Sequence, residues 1–176
     1  MGFCLFSSVA VAVRAAQAAG AERVGVVDFD VHHGNGTQAV FEADPTVWFG
    51  SIHQWPLYPG TGAESERGVG NIVNVTVEPE APREVWMRAF ETRLLPGLDA
   101  FLPELIIISA GFDAHRRDPL AQQNLEAEDF AAMTRAVLEI ARARSGGRVI
   151  SSLEGGYDLQ ALGEGAASHV RALGQA

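Results

Sequence analysis

Short apolar runs alternate with longer segments of helical periodicity along the whole chain. Most runs are continuous and rich in β-branched residues, which is typical of strands that are buried on both faces. Strands separated by helices predict repeated βα units around a parallel sheet. The sequence therefore predicts an α/β fold with one central sheet, whose strands lie at 23–29, 46–52, 71–77, 104–110 and 147–153.

Helical periodicity is clearest in "EAEDFAAMTRAVLEIARAR", where Phe130, Met133 and Val137 fall near one stripe of a helix at 126–144. The remaining helices are expected at 83–102, at 159–174 and in a short segment after Asn35. Pro96 is expected to kink or split the first of these, because proline removes a backbone donor.

The first 20 residues, "MGFCLFSSVAVAVRAAQAAG", are apolar enough to resemble an export signal. They have no basic residue before the apolar part and contain Arg14, so a signal or a membrane span fits poorly. We predict a buried helix that ends at Gly20. A chain that starts in such a helix has no polar segment before it, which favours a first residue that lies inside a domain.

Composition narrows the class of protein. The 176 residues, 47% of them hydrophobic, suit a single globular domain over 1–176. A net charge of -9 disfavours nucleic acid and anionic membranes as partners and would suit a cationic ligand, although many enzymes are acidic for solubility alone. The single cysteine, Cys4, excludes an internal disulfide, so we expect a reducing, cytoplasmic location.

Polar residues collect where the predicted strands end, at the edge of the sheet where α/β proteins bind ligands. In "VVDFDVHHGNG", strand alternation points Asp28, Asp30 and His32 to one side of the backbone. Buried carboxylates need a cation or several hydrogen-bond donors. The residues alone leave a metal site and a structural hydrogen-bond network equally open.

A second polar cluster, "SAGFDAHRRDPL", follows the fourth strand. Its Asp113 comes after Gly111, where the backbone can approach a ligand closely. Together with Asp30 and His32 it would make an open three-ligand site, as in catalytic zinc centres. Mixed carboxylate and imidazole ligands also suit iron, cobalt or manganese.

The third cluster, "SLEGGYDL", presents Tyr157 after two glycines. A phenol aimed into the crevice could donate to a developing oxyanion opposite the metal. Alternatively, Tyr157 packs on the following helix with its hydroxyl in water. The Gly- and Pro-rich loop at 53–70 is long enough to be functional.

Five motifs in order, "GFCLFSSVAVA", "DFDVHHGNGTQ", "SIHQWPLYPGTG", "SAGFDAHRRDPL" and "LEGGYDL", resemble the zinc-dependent histone deacetylase family, especially class II members and bacterial acetylpolyamine amidohydrolases. The resemblance implies an arginase-like three-layer α/β fold and hydrolysis of acetyl-lysine or acetylpolyamine amides by a metal-activated water. It implies Zn²⁺ on Asp30, His32 and Asp113, with Tyr157 polarising the carbonyl. The dinuclear arginases are disfavoured, because Gly34 and His115 stand where a second metal would need ligands.

The resemblance also implies structural potassium. One K⁺ site would use Asp28 with backbone oxygens of Asp30, His32, Ser51 and Ile52, and a second monovalent site would use the backbone around Phe41, Asp44 and Val47. Apolar walls of a substrate tunnel are implied at Trp55, Tyr58 and Leu120. Asn35, His33 and His115 are expected to support the site or pack the loops around it.

The resemblance places a pair of adjacent catalytic histidines upstream of "GFCLF", outside this sequence. We therefore expect an N-terminally incomplete sheet, the C-terminal portion of a deacetylase catalytic domain, and little activity from the chain alone. Its exposed sheet edge is expected to favour homo-oligomers. Two alternatives stay open, namely a non-catalytic metal- or ligand-binding module and a structural α/β domain that holds only potassium.

Overall fold

The computed structural model describes residues 3–175. Its helices are α1 (Ser8–Ala18), α2 (Asn35–Phe41), α3 (Arg83–Ala89), α4 (Leu95–Phe101), α5 (Ala127–Arg144) and α6 (Leu159–Leu173). Its strands are β1 (Val24–Asp28), β2 (Val47–Gln54), β3 (Ile72–Val77), β4 (Leu105–Ala110) and β5 (Val149–Leu153).

The strands form one parallel sheet in the order β3-β2-β1-β4-β5. Every residue of β1, β2 and β4 is buried, as expected when helices cover both faces of a sheet. This confirms the predicted α/β fold with a central parallel sheet. The order makes β1 the middle strand and places β4 and then β5 on one side of it.

The hydrophobic core has two parts, one on each face of the sheet. Val24 and Val26 of β1 pack with residues of α1 and α2, whereas Val27 and Phe29 pack with residues of α3 to α6. Since alternate residues of a strand point to opposite faces, these two clusters are separate layers of side chains. The arrangement has three layers, helices–sheet–helices, as predicted.

The predicted helix at 83–102 is split. Helix α3 runs into a π-helical segment, Phe90–Leu94, and α4 follows directly with Pro96 in its first turn. Proline is tolerated there because the first N–H groups of a helix have no intrahelical acceptor. The left-handed backbone of Leu102, at φ 57°, then ends α4.

The prediction of one buried helix over the first 20 residues is wrong for the described part before Ser8. Helix α1 starts only after Ser7, whose hydroxyl caps it by accepting the Ala10 N–H at 3.1 Å, and it ends at Ala18. Phe3, Leu5 and Phe6 are 81–96% exposed. Hydropathy identified an apolar segment, but it could not show which of its side chains have packing partners. Residues 1 and 2 lie outside the described part.

Strand β5 lies at an edge of the sheet and is more exposed than the others, with Ile150 47% and Leu153 61% exposed. A parallel edge strand has unpaired backbone groups that can pair with another chain. Assembly of copies through the sheet edge stays a prediction. Between residues 3 and 175, no helix combines the length and the apolar character that crossing a bilayer requires.

The packing of α5 predicts a large difference between two truncations to alanine. Met133, on the sheet-facing side of α5, is fully buried, whereas Leu159, at the start of α6, is 81% exposed. We expect Met133→Ala to lower the free energy of unfolding by about 2–5 kcal/mol. Leu159→Ala, the matched control, should change it by no more than about 0.5 kcal/mol. Urea unfolding of both variants measures this, and equal losses would contradict the assignment of the core.

Candidate metal centre

The chain segments that leave β1, β4 and β5 meet at one edge of the sheet. Asp30 and His32 follow β1, Asp113 follows β4, and Tyr157 follows β5. These three strands are neighbours in the sheet and run parallel, so their carboxyl ends lie side by side. The sheet order therefore brings three polar clusters that are far apart in sequence to one place.

Asp30, His32 and Asp113 form a group whose ligand atoms all lie within 4.8 Å of one another. The Nδ1 atom of His32 lies 3.1 Å from Asp30 Oδ1 and 3.0 Å from Asp113 Oδ2. Asp113 is fully buried and Asp30 is 9% exposed, while the His32 side chain is 19% exposed. One nitrogen and two carboxylates around a common point, open on one side, can hold a divalent metal ion.

Backbone donors orient both carboxylates. Asp113 Oδ1 accepts the N–H of Val31 at 2.8 Å, and Asp30 Oδ2 accepts the N–H of Gly155 at 2.7 Å. Asp30 Oδ1 also accepts the N–H of His32 at 2.8 Å. These bonds hold the carboxylates in place before a metal binds. Ligands in metal sites are usually oriented by hydrogen bonds of this kind.

Two glycines leave the space that the carboxylates occupy. A Cβ atom on Gly155 would lie 2.0 Å from Asp113 Oδ2, and one on Gly111 would lie 2.3 Å from Asp30 Oδ2. Both distances are far shorter than van der Waals contact. Any side chain at either position would displace a candidate ligand, so glycine is required at these positions by the site.

The cluster retains a proton in the absence of a metal. Burial lowers the pKa of His32, but hydrogen bonds to the carboxylates of Asp113 and Asp30 outweigh burial and raise it to about 10. Burial, with the negative charge of Asp30 adding to it, raises the pKa of Asp113 to about 7, against the hydrogen bond from His32. A metal entering at neutral pH must therefore displace a proton, which makes its binding stronger as pH rises.

Tyr157 lies beside the candidate metal ligands. Its ring meets that of His32 edge-on, with the centroids 6.2 Å apart. Burial raises the pKa of its phenol to about 12, and the nearby carboxylates of Asp113 and Asp30 add to the shift. The hydroxyl therefore keeps its proton at neutral pH and can act as a hydrogen-bond donor.

Two residues that contact Tyr157 were not predicted from the sequence. Asp118 accepts the backbone N–H of Tyr157 at 2.8 Å and that of Leu120 at 2.9 Å, and it thereby links the "RRDPL" turn to the turn after β5. The ring of Phe3 lies edge-on to Tyr157 at 5.9 Å. Aspartate before proline is a known turn signal, so Asp118 could have been identified from the sequence.

The three proposed tunnel residues come from two loops, one after β2 and one after β4. The carboxylate of Asp118 accepts the backbone N–H groups of both Leu120 and Tyr157, so these two residues lie near each other. Leu120 is 44% exposed. Trp55 and Tyr58 belong to the loop after β2, which borders β1 on the side away from β4. Trp55 is half-buried and Tyr58 is 59% exposed. Their role as tunnel walls stays a prediction.

The surroundings of Asp28 suit a monovalent cation. Asp28 is 2% exposed and lies opposite the buried Ser51 in the β1–β2 register. Burial raises its pKa well above the ordinary value, and the charges of Asp30 and Glu154 raise it further. A carboxylate buried among other carboxylates needs either a proton or a cation. The residues proposed for the first potassium site are therefore compatible with one.

The second proposed monovalent site is different. Carbonyl oxygens of Phe41, Asp44 and Val47 do converge, but they surround the side-chain nitrogen of Asn71 at 2.8, 3.0 and 2.8 Å. The amide lies where an ion bound by the same three oxygens would lie. As arranged, these residues do not fit a cation.

The remaining histidines all have other partners. The His33 ring bridges Gln38 and Thr61, and the His53 ring bridges Ser51 and the carbonyl of Gly62. His115 Nδ1 accepts the N–H of Arg117 at 3.1 Å, and its Nε2 lies 3.6 Å from Glu126. His169 lies between hydroxyls of Thr134 and Ser151. None of these four rings joins the group formed by Asp30, His32 and Asp113.

Asn35, at the start of α2, has a buried side-chain oxygen that receives no hydrogen bond from the described residues. Its neighbour His33 is fully engaged with Gln38 and Thr61, as a group that packs the loop. Buried polar atoms without a partner are uncommon in folded proteins.

Comparisons with known proteins agree with the fold. The model of the histone deacetylase domain family matches residues 1–173. A histone deacetylase-like amidohydrolase of Pseudomonas aeruginosa is 44% identical over 89% of this chain, and histone deacetylase 14 of Arabidopsis thaliana, described as chloroplastic, is 41% identical over 98%. The crystal structure of the HDA15 HD domain superposes with a TM-score of 0.90 at 41% identity, over 98% of this chain.

The chain therefore belongs to the histone deacetylase domain family, and its fold is that of the deacetylases, as the resemblance implied. It spans about half the length of these relatives, namely 43% of the Pseudomonas protein, 42% of the Arabidopsis protein and 52% of the HDA15 chain. Because one relative is described as chloroplastic, the expected cytoplasmic location stays a prediction.

The geometry of the triad predicts how zinc binding depends on Asp113. Asp113→Asn keeps the size of the side chain but removes its charge. Loss of a group that only orients a metal ligand lowers metal affinity by roughly 10–100-fold. Because Asp113 is a candidate ligand itself, its substitution should lower zinc affinity by at least this factor. Equilibrium dialysis against zinc measures this. The control is Glu139→Gln, which removes one charge from an exposed position on α5. Equal zinc binding by the two variants would remove Asp113 from the ligand set.

Proposed function

We propose that this chain forms the metal-binding part of a deacetylase that hydrolyses N-acetyl amides, either of acetylated lysine side chains or of acetylated polyamines. The observation that carries the proposal is the open Asp30–His32–Asp113 group with the protonated Tyr157 beside it. Zinc suits three such ligands best, while Fe²⁺, Co²⁺ and Mn²⁺ are accepted by similar ligands. When bound, the metal supplies Lewis acidity, which polarises a carbonyl and lowers the pKa of water.

Tyr157 has the properties of an oxyanion donor. Its hydroxyl keeps the proton at neutral pH, because burial and three nearby carboxylates raise its pKa. Asp118 holds the backbone of Tyr157, and the rings of Phe3 and His32 contact its ring edge-on, so the phenol needs little reorganisation to donate to a substrate carbonyl oxygen. A donor fixed in advance is worth roughly 10²–10³ in rate in comparable sites.

None of the histidines of this chain is a candidate for the general base of the reaction. Four of the five rings are engaged elsewhere, and His32 is occupied as a metal ligand in this proposal. The orphaned oxygen of Asn35 is suited to accept a hydrogen bond from an imidazole. We therefore propose that the base is supplied by a histidine pair outside the 176 residues, as the resemblance implies.

The substrate class follows from charge and from the family. A net charge of -9 favours a substrate that remains cationic beyond its acetamide, such as a basic peptide or a polyamine. The same charge disfavours nucleic acid as a partner. Trp55, Tyr58 and Leu120 are proposed to contact the alkyl chain of the substrate.

The 176-residue chain alone should be a poor enzyme. Without a general base, its zinc-loaded form should release acetate roughly 10²–10⁴ times more slowly than an intact family member, a barrier higher by about 3–5 kcal/mol. A fluorogenic acetyl-lysine peptide and an acetylpolyamine measure this, with the Pseudomonas relative as reference. Turnover near that of the reference would contradict the proposed source of the base.

The intact mass of the native protein from its source cells decides how this result is read. A mass well above 18.8 kDa would identify the polypeptide in which the full reaction is to be tested. A mass of 18.8 kDa combined with zinc binding and negligible turnover would favour a non-catalytic metal-binding module.

Tyr157→Phe, made in the native polypeptide, should lower kcat by roughly 10²–10³ and leave zinc affinity unchanged, because only the hydroxyl donor is removed. Thr92→Val is the control and should keep kcat, because it removes a hydroxyl from an exposed residue that has no proposed role in the site. Steady-state kinetics with one acetylated substrate measure both variants. If the two variants had the same kcat, Tyr157 would not be the oxyanion donor.

A further inference from the structure

Three backbone carbonyls converge on one buried point next to the sheet, and the side chain of Asn71 occupies that point. The carbonyls belong to Phe41 at the end of α2, to Asp44 in the following turn, and to Val47 at the start of β2. Asn71, which directly precedes β3, is 5% exposed. Its Nδ2 atom lies 2.8 Å from the oxygens of Phe41 and Val47 and 3.0 Å from that of Asp44.

Such an arrangement needs positive charge at its centre. The negative ends of three carbonyl dipoles face one another, which is the arrangement that protein sites use to replace the hydration shell of K⁺. An amide nitrogen carries only two hydrogens, so the three carbonyls must share them, one N–H being bifurcated. The amide thereby supplies at this point the partial positive charge that an ion would otherwise supply.

The hydrogen-bond pattern decides which way the amide faces. Asn71 Oδ1 accepts the N–H of Val69 at 3.2 Å. In the reversed orientation, Oδ1 would face three carbonyl oxygens, and Nδ2 would face the N–H of Val69. Both contacts would be repulsive, so the orientation with the nitrogen at the centre is the favourable one.

The backbone that carries the Asn71 side chain is held on two sides. Its own carbonyl accepts the N–H of Phe49 at 3.0 Å, which starts the β2–β3 pairing. Val69, held by the amide, also donates to the carbonyl of Glu42 at 2.9 Å. The residue is therefore bound to the α2–β2 turn on one side and to the sheet on the other.

We propose that the amide of Asn71 is a built-in substitute for the second monovalent cation that the resemblance implies. It ties the turn between α2 and β2 to the start of β3 whatever cation is in solution. Asp28 keeps the surroundings that suit a bound cation, so this chain uses one such site rather than two. The inference concerns stability and does not depend on the proposed hydrolysis.

The first test compares thermal unfolding in potassium chloride and in choline chloride at the same ionic strength. Asn71→Asp replaces the amide nitrogen by a negatively charged oxygen, which the three carbonyls repel unless a cation enters. Its Tm should be lower than that of the wild type in choline chloride and should rise in potassium by about 2–4 °C more than the wild-type Tm does.

Two control variants define the comparison. Asn124→Asp adds the same charge at an exposed asparagine that donates to one carbonyl, that of Ala81, so its potassium response should equal that of the wild type. Asn71→Leu fills the space without charge, so its Tm should fall in both salts with no additional response to potassium. Equal potassium responses of Asn71→Asp and Asn124→Asp would overturn the proposal.

The second test does not require any variant to fold. Crystals of the wild-type chain soaked in rubidium or thallium(I) should show no anomalous peak among the carbonyls of Phe41, Asp44 and Val47. A peak there, with the Asn71 side chain displaced, would overturn the proposal. If Asn71→Asp crystallises, a peak at the same point in that variant would support it.

Discussion

The burial of several carboxylates at the carboxyl ends of β1 and β4 is the constraint on which this structure depends. Asp28, Asp30 and Asp113 are each less than 10% exposed, and burial together with the charge of Asp30 raises the pKa of both Asp28 and Asp113, so this burial would be strongly unfavourable without compensation. Backbone N–H groups and the imidazole of His32 provide part of that compensation. The metal ion that we propose for this edge of the sheet would stabilise the fold at the same time as it prepares the chemistry.

The parallel sheet makes this burial geometrically feasible. Asp30 accepts the N–H of Gly155 from a residue 125 positions later in the chain, and Asp113 accepts the N–H of Val31 across 82 positions. Each of these bonds connects the ends of different strands. The small size of Gly111 and Gly155 allows the strand ends to approach the carboxylates closely enough to form them. The ligand geometry is thus a property of the strand order rather than of one motif.

Oxygen atoms converge around Asp28 and around Asn71, and these two groups of oxygens differ in net charge. Around Asp28 the oxygens include ionisable carboxylates, so only a proton or a cation can neutralise them. Around Asn71 they are three neutral carbonyls, whose dipoles a neutral amide can satisfy. A proton or a cation is required where carboxylates are buried, whereas a neutral amide suffices where only carbonyl dipoles converge. Burial lowers the pKa of each of the other four histidines, and none of their rings hydrogen-bonds to the acidic cluster.

The sequence by itself determined the order of strands and helices, because periodicity and apolar content are local properties that a short window reveals. It also identified Asp30, His32, Asp113 and Tyr157 as candidates, since each follows a predicted strand and matches a motif of the family. It could not identify the exposure of Phe3, the contact of Asp118 with Tyr157 or the position of the Asn71 amide. These depend on which distant segments become neighbours in the sheet, and only the tertiary structure decides that, because packing joins residues that no local pattern relates.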